Sequence, residues 1–234
     1  DNVDLHAAGR AGITVTNTPN TATEAVAEHA IALLLSLARR VPELDVRVRR
    51  GEWPRGMLRQ LSGNTLGIVG TGNIGRRTAE MARGIGMRVI AWTRNPDQEW
   101  AQASGVEYVN LDTLLRESDF VTLHTPLTDG TRHMIGKKEI AIIKPGARLI
   151  NVARGELVDE EALLEGLDSG RLAGVALDVF AQEPPASGPL LKHTKVVVTP
   201  HLGASTAEAQ REVAIEAAEQ VLAVLSGQPA RNTV

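Results

Sequence analysis

A doubly wound α/β fold built on a parallel sheet is what three features of this 234-residue sequence predict. Short apolar, β-rich runs recur at Leu66–Val69, Val89–Trp92, Val106–Val109, Phe120–His124, Ala147–Asn151, Gly174–Val179 and Val196–Thr199. Helical stretches fall between most of them, at Ile74–Ile85, Leu111–Glu117, Lys137–Ile143 and Asp159–Ser169, with a weaker one over 97–104. Such alternation calls for crossover helices on both faces of a sheet, whose strands are then buried on both sides and read as continuous apolar runs. The third feature is the turn after the first run, Gly70-Thr71-Gly72-Asn73-Ile74-Gly75, which opens a helix.

The elements follow in order. Residues 1–20 hold a short amphipathic piece (Val3, Leu5, Ala8) and a strand-like Ile13-Thr14-Val15-Thr16 broken by Asn17-Thr18-Pro19-Asn20. Thr21 and Glu24 have the spacing of a capping box and predict a helix to Arg40. Its apolar residues, from Ala27 to Ala38, cover most of the circumference, so it is expected to be buried on several sides, with a second domain or a second subunit as cover. Pro42 to Gly63 is polar and basic and reads as a helix end and a connecting loop. Ser205 with Glu208 repeats the capping-box spacing and starts a last helix. That helix carries Val213, Ala217, Val221 and Leu225 on one face and stops at Gly227.

Composition narrows the function. The chain is 43% hydrophobic with a net charge of -3, which gives no general basic footprint for nucleic acid. With no cysteine there are no disulfides, no thiolate chemistry and no cysteine metal site, and no metal is expected; a cytoplasmic setting fits. The longest apolar run, Ala30 to Leu35, is far too short to span a bilayer. The chain opens at Asp1 without Met and reads as a fragment.

Each glycine of the turn serves a different purpose. Gly70 permits the turn, Gly72 admits a pyrophosphate close to the backbone, and Gly75 lets the helix pack on the strand. The free N–H groups and positive dipole end of the helix suit a diphosphate, which makes this a Rossmann-type dinucleotide site. Ligands of open α/β sheets sit beyond the carboxyl ends of the strands. There lie His124-Thr125-Pro126, Asn151-Val152-Ala153-Arg154-Gly155, Asp178 to Pro184, and Thr199 to Ser205. Arg154, Glu183 and His201 form a coherent catalytic set: a guanidinium fork for a carboxylate, an imidazole to move a proton, and a carboxylate to fix its tautomer. These suit reduction of a 2-oxo acid beside a nicotinamide. His124 has an equal positional claim to be the acid.

The sequence resembles the D-isomer-specific 2-hydroxyacid dehydrogenases, nearest their phosphoglycerate branch. The resemblance rests on Asp1-Asn2-Val3-Asp4, Val15-Thr16-Asn17-Thr18-Pro19, Ala27-Glu28-His29, Gly70–Gly75, Asn151–Gly155, Leu177–Phe180 with Glu183-Pro184, and Pro200–Thr206. It implies that Arg154 binds substrate, His201 is the acid/base and Glu183 bonds His201, with His124 a pocket residue. Asn73 and Ile74 would meet the pyrophosphate, Thr93 the ribose and Thr125 the pocket wall. Val152, Ala153 and Asp178 would lie near the nicotinamide, with Pro126, Gly203 and Ala204 in the same cofactor-binding set. Gln replaces Glu183 in related formate dehydrogenases, which sets that activity aside.

Two departures stand out. Most of the family's substrate-binding domain would precede Asp1, so residues 1–20 are expected to be its remnant. Residues 21–206 are then the dinucleotide-binding domain with its leading interdomain or dimer helix, and 207–234 a helix returning toward the substrate domain. NAD-using members also place Asp after the second strand, where this chain has Thr93-Arg94, which admits NADP as well as NAD. The expected partners are a small 2-hydroxy or 2-oxo acid, 3-phosphoglycerate/3-phosphohydroxypyruvate first, and a second copy of the chain, with no nucleic acid and no membrane. The alternatives are a glyoxylate/hydroxypyruvate reductase and a non-catalytic, dinucleotide-sensing module like the related corepressors.

Overall fold

The computed structural model describes residues 3–234. Asp1 and Asn2, which open the first matching stretch, lie outside the described residues. The described chain forms two compact units, 3–25 with 204–234, and Val26–Gly203.

The larger unit is a seven-stranded sheet of β1 (Thr65–Val69), β2 (Arg88–Trp92), β3 (Glu107–Tyr108), β4 (Phe120–Leu123), β5 (Ala147–Asn151), β6 (Leu172–Leu177) and β7 (Val196–Val198). The strands are all parallel, in the order β3-β2-β1-β4-β5-β6-β7. The predicted fold class is therefore the observed one. The central strands are sealed on both faces: Leu66, Ile68, Val69, Phe120, Val121, Leu123, Leu149, Ile150, Val175 and Leu177 are all fully buried. The order reverses between β1 and β4, which opens a crevice at their carboxyl ends.

Helices α4 (Asn73–Gly84), α5 (Gln98–Ser104), α6 (Leu111–Glu117), α7 (Lys137–Ile142), α8 (Glu160–Asp168) and α9 (Pro189–Lys192) connect the strands. Short polar side chains start several of them by accepting orphan N–H groups: Asp97 from Trp100, Asn110 from Thr113, and Asp159 from Glu161 and Ala162.

α2 spans Thr23–Arg39, two residues later than predicted, and the Thr21 hydroxyl donates to the Thr18 carbonyl. Ala27, Ala30, Leu33, Leu34, Leu37 and Ala38 are buried within the single chain and Leu35 is exposed, so this helix does not demand a second subunit as cover. The polar stretch after it is not all loop: α3 runs Val41–Arg49. Arg40 breaks α2 with a left-handed φ of 50°, and Pro42 then sits in the first turn of α3, where its missing N–H costs nothing. No residue of α3 is buried, and it carries ion pairs of Arg40 and Arg47 with Glu43 and of Arg49 with Asp45.

The smaller unit holds α1 (Leu5–Arg10) and α10 (Ala207–Leu225). The strand expected at 13–16 is a single antiparallel bridge, Thr16 to Thr233. The cap of α10 is Thr206, not Ser205, its hydroxyl accepting from Ala209 N–H. The inward face is also different: Ala209 and Gln220 are buried, whereas Val221 and Leu225 are exposed. Gln220 is buried because both ends of its amide are used, donating to the Asn17 carbonyl and accepting from Asn232 N–H. No helix among the described residues is long and apolar enough to cross a membrane.

Candidate functional site

The glycine turn joins β1 to α4. Gly70 has φ 100°, a conformation that disfavours any side chain, and its N–H donates to the Trp92 carbonyl at 2.7 Å, which ties the turn to the end of β2. A Cβ on Gly75 would come within 2.0 Å of the Gly70 carbonyl oxygen, so α4 approaches the turn only because that position is bare. A Cβ on Gly72 meets nothing within 4 Å. Gly72 is the N-cap of α4 and, having no side chain, offers no side-chain cap to the first turn.

Arg76 braces the turn from the far side. Its Nε donates to the Thr71 carbonyl, its Nη2 to Asp97, and its guanidinium lies 4.9 Å from the Trp100 ring centre. Thr71 and Tyr108 share a hydroxyl hydrogen bond of 2.8 Å. Sequence reasoning did not assign Arg76, Asp97 or Tyr108 any part here.

Thr93 directly follows β2, beside the Trp92 carbonyl that holds Gly70. Arg94 is exposed, and its Nη2 lies 3.5 Å from where a Cβ on Gly130 would stand, so it leans over the loop after β4. In that loop Thr125 faces the Met134 sulfur and the Pro126 carbonyl accepts from Thr131. His124 hydrogen-bonds Thr122, and burial pushes its pKa down to about 3. Burial holds this ring in its neutral form, which weighs against its positional claim to be the acid.

The three loops after β5, β6 and β7 are joined. Asn151, fully buried, donates to the Arg154 carbonyl and accepts from Ala153 N–H, fixing the turn that carries Val152, Ala153 and Arg154. A Cβ on Gly155 would lie 1.9 Å from the Phe180 carbonyl carbon, so the Arg154 turn presses directly against the next loop. Phe180 N–H donates to Glu183 Oε1, and Glu183 Oε2 lies 2.7 Å from His201 Nδ1. Burial alone would raise the Glu183 carboxyl, but hydrogen bonds from His201 and Phe180 N–H outweigh it and hold the carboxyl below its usual range. The structure thus brings Arg154, Glu183 and His201 onto one connected rim.

Asp178 is 1% exposed and bonded on both oxygens. Oδ1 accepts from the Thr199 hydroxyl at 2.6 Å and Leu202 N–H at 2.9 Å, and Oδ2 accepts from Gly203 N–H at 2.9 Å. His29 Nε2 stands 3.2 Å from Oδ1 and 3.0 Å from Thr199 Oγ1. Burial works to raise this carboxyl, but the bonds from His29, Thr199, Leu202 and Gly203 prevail and hold it well below the usual range. His201 N–H donates to the Asp178 carbonyl, and His201 itself has φ 56°, which costs a non-glycine residue about 1–2 kcal/mol. Sequence reasoning placed Asp178 near the cofactor and missed that it also ties down the segment bearing His201. Ala204 follows that segment at the start of the smaller unit.

Comparison with known proteins adds three findings. Residues 31–203 match the family model described as D-isomer specific 2-hydroxyacid dehydrogenase, NAD binding domain. The whole chain is 45% identical to a glyoxylate reductase of Thermococcus litoralis, covering 73% of that protein, and 44% identical to a D-3-phosphoglycerate dehydrogenase of Synechocystis, covering 43% of it. It also overlays the crystal structure of the TT0316 protein of Thermus thermophilus with a TM-score of 0.93 at 42% identity, covering all of this chain and 75% of that one.

Proposed function

The chain belongs to the D-isomer specific 2-hydroxyacid dehydrogenases, through their NAD binding domain, and on that premise we propose that it is the coenzyme-binding part of an oxidoreductase acting on a D-2-hydroxy acid/2-oxo acid pair. The observation that carries this reading is the 2.7 Å pairing of His201 Nδ1 with Glu183 on the rim that also holds Arg154.

The glycine turn fits a dinucleotide. Open space at Gly72 and the positive end of α4 suit a diphosphate, with the Asn73 and Ile74 N–H groups facing it. When bound, the nicotinamide supplies the hydride. Val152, Ala153, Asp178 and Gly203 belong around its ring, and Asp178 still has one acceptor position on Oδ2 beyond the bond from Gly203. The Arg154 fork binds the substrate carboxylate through two parallel bonds. With Nδ1 held by Glu183, His201 turns Nε2 to the substrate and delivers its proton to the carbonyl oxygen.

The preferred pair is 3-phosphoglycerate/3-phosphohydroxypyruvate, supported by the run Gly203-Ala204-Ser205-Thr206 after His201. A glyoxylate or hydroxypyruvate reductase uses the same machinery. Neutral Thr93 and exposed Arg94 support binding of NADPH as well as NADH. Residues 1–20 and 207–234 are assigned to the remainder of the substrate domain. A homodimer is part of the proposal, with the segment after α3 as its contact, where Trp53 is 74% exposed and Met57 stands fully out.

The test is calorimetric titration of the chain with NADH and NADPH, followed by turnover of 2-oxo acids in the protein with its substrate domain. Binding without turnover there would favour the sensing module, and no binding of either dinucleotide would end the proposal. A monomer by light scattering would remove the dimer.

A further inference from the structure

We propose that His29 is a positioning residue for His201, acting from α2 through Thr199 and Asp178. This rests on the reading of His201 as the proton donor.

His29 stands in a helix whose neighbouring turns are apolar, with Val26, Ala27, Ala30 and Leu33 all buried. A histidine there is either a filler of the core or a bonded group, and its contacts decide. The Thr199 hydroxyl lies 2.6 Å from Asp178 Oδ1, and because the carboxylate has no proton, the hydroxyl donates. That hydroxyl's proton is thereby committed, and Thr199 Oγ1 can only accept from His29 Nε2 at 3.0 Å. His29 Nε2 therefore carries the hydrogen and shares it between Thr199 Oγ1 and Asp178 Oδ1, which lies 3.2 Å away. The carboxylate sets the direction of the whole chain of bonds, and the imidazole N–H completes it.

The chain ends on the catalytic segment. Asp178 receives Thr199, Leu202 and Gly203 through its carboxylate and His201 through its carbonyl, so it holds four of the five residues from 199 to 203. These bonds keep His201 at its left-handed φ of 56°, the conformation in which its ring meets Glu183. Removing the His29 hydrogen takes one donor from both Thr199 Oγ1 and Asp178 Oδ1, so the hold on Asp178 rests on Thr199 alone from that side and loosens beside His201, whose backbone is strained. His29 touches neither substrate nor dinucleotide in this scheme.

The experiment compares His29→Leu, which removes the donor, with His29→Gln, which keeps an N–H donor on a side chain of similar length. In the 234-residue chain, the ring 15N shifts of His201, assigned by their loss in His201→Gln, report which nitrogen carries the proton at a pH where the ring is neutral. Wild type and His29→Gln should both show Nδ1 protonated on Glu183. His29→Leu should average the two tautomers, and the Leu202 and Gly203 amides should exchange about tenfold faster, the worth of roughly one hydrogen bond. Thr199→Val, which keeps the shape and drops the hydroxyl, should reproduce the His29→Leu spectrum and serves if His29→Leu fails to fold. Wild-type ring shifts in His29→Leu or in Thr199→Val, or no restoration by His29→Gln, would overturn the proposal. If wild-type protein shows the Nδ1 signature but binds no NADH, the coenzyme reading fails while the role of His29 is still decided.

Discussion

His201 Nδ1 and Glu183 Oε2 stand 2.7 Å apart, and this contact fixes which ring nitrogen faces outward. Both partners are partly exposed, so the pair adds little to stability and its value is orientational. In the protein with its substrate domain, His201→Gln should lower kcat about 10²–10⁴-fold, the usual worth of a general acid. Arg154→Lys should raise KM for the oxo acid, because an ammonium lacks the fork. Because His201 must enter the reduction protonated, reductive kcat/KM should fall as pH rises. Steady-state kinetics across pH would check all three, and near-full turnover in His201→Gln would remove the assignment.

The coenzyme choice is expected to follow Arg94. Arg94→Ala should weaken NADPH and spare NADH. Thr93→Asp should shift the affinity ratio toward NADH by at least about tenfold, since a charged hydrogen bond is worth about 1.5–3 kcal/mol. Dissociation constants for both coenzymes decide it: unchanged NADPH binding in Arg94→Ala would leave the phosphate with no partner here.

His124 should make the fold acid-sensitive. Its folded pKa is about 3 and an unfolded histidine titrates near 6.5. Between those values the unfolded chain takes a proton that the folded chain refuses, so stability falls as pH falls, by about 1.4 kcal/mol per pH unit from this group. Urea midpoints at pH 7, 6 and 5 would show the slope, and His124→Phe should flatten it. An equal slope in that variant would mean that the sensitivity comes from elsewhere.

Two glycines should behave in opposite ways. Gly155→Ala forces a Cβ to 1.9 Å from Phe180 and should cost at least about 2 kcal/mol in denaturant unfolding, because backbone on both sides must move. Gly72→Ala meets no atom within 4 Å and should cost only about 0.5–1 kcal/mol, as an alanine N-cap does, while weakening dinucleotide binding. A stable Gly155→Ala would mean that the Arg154 turn does not need its close approach to Phe180.

The sheet was legible because its strands are buried on both faces, and continuous apolar runs located β1, β4 and β5 to within a residue. α3 was not, since its stability rests on surface ion pairs and a tolerated Pro42, neither of which leaves an apolar stripe. Ser205 and Thr206 are both good caps, and only the fold chooses between them. The inward face of α10 is set by Gln220, a polar residue that a hydrophobic pattern counts as outside. Arg154, Glu183 and His201 could be read from their places after successive strands. The choice between His201 and His124 needed the desolvation of His124, and the role of His29 depends on a partner 170 residues away.

The long-range pairing in the smaller unit bears on how the chain folds in time. Asn17 donates to the Asn232 carbonyl and accepts from Gln220, and Val234 donates to the Val15 carbonyl. These contacts close a loop holding nearly the whole sequence, and loop closure of that length is slow compared with pairing of neighbouring strands. The sheet can assemble from contacts that each span one crossover, with β1 waiting only for β4. Residues 13–17 must wait for α10 to arrive. A refolding experiment followed at Trp92 and Trp100 in the larger unit should therefore finish before protection appears at the amides of Asn17 and Val234.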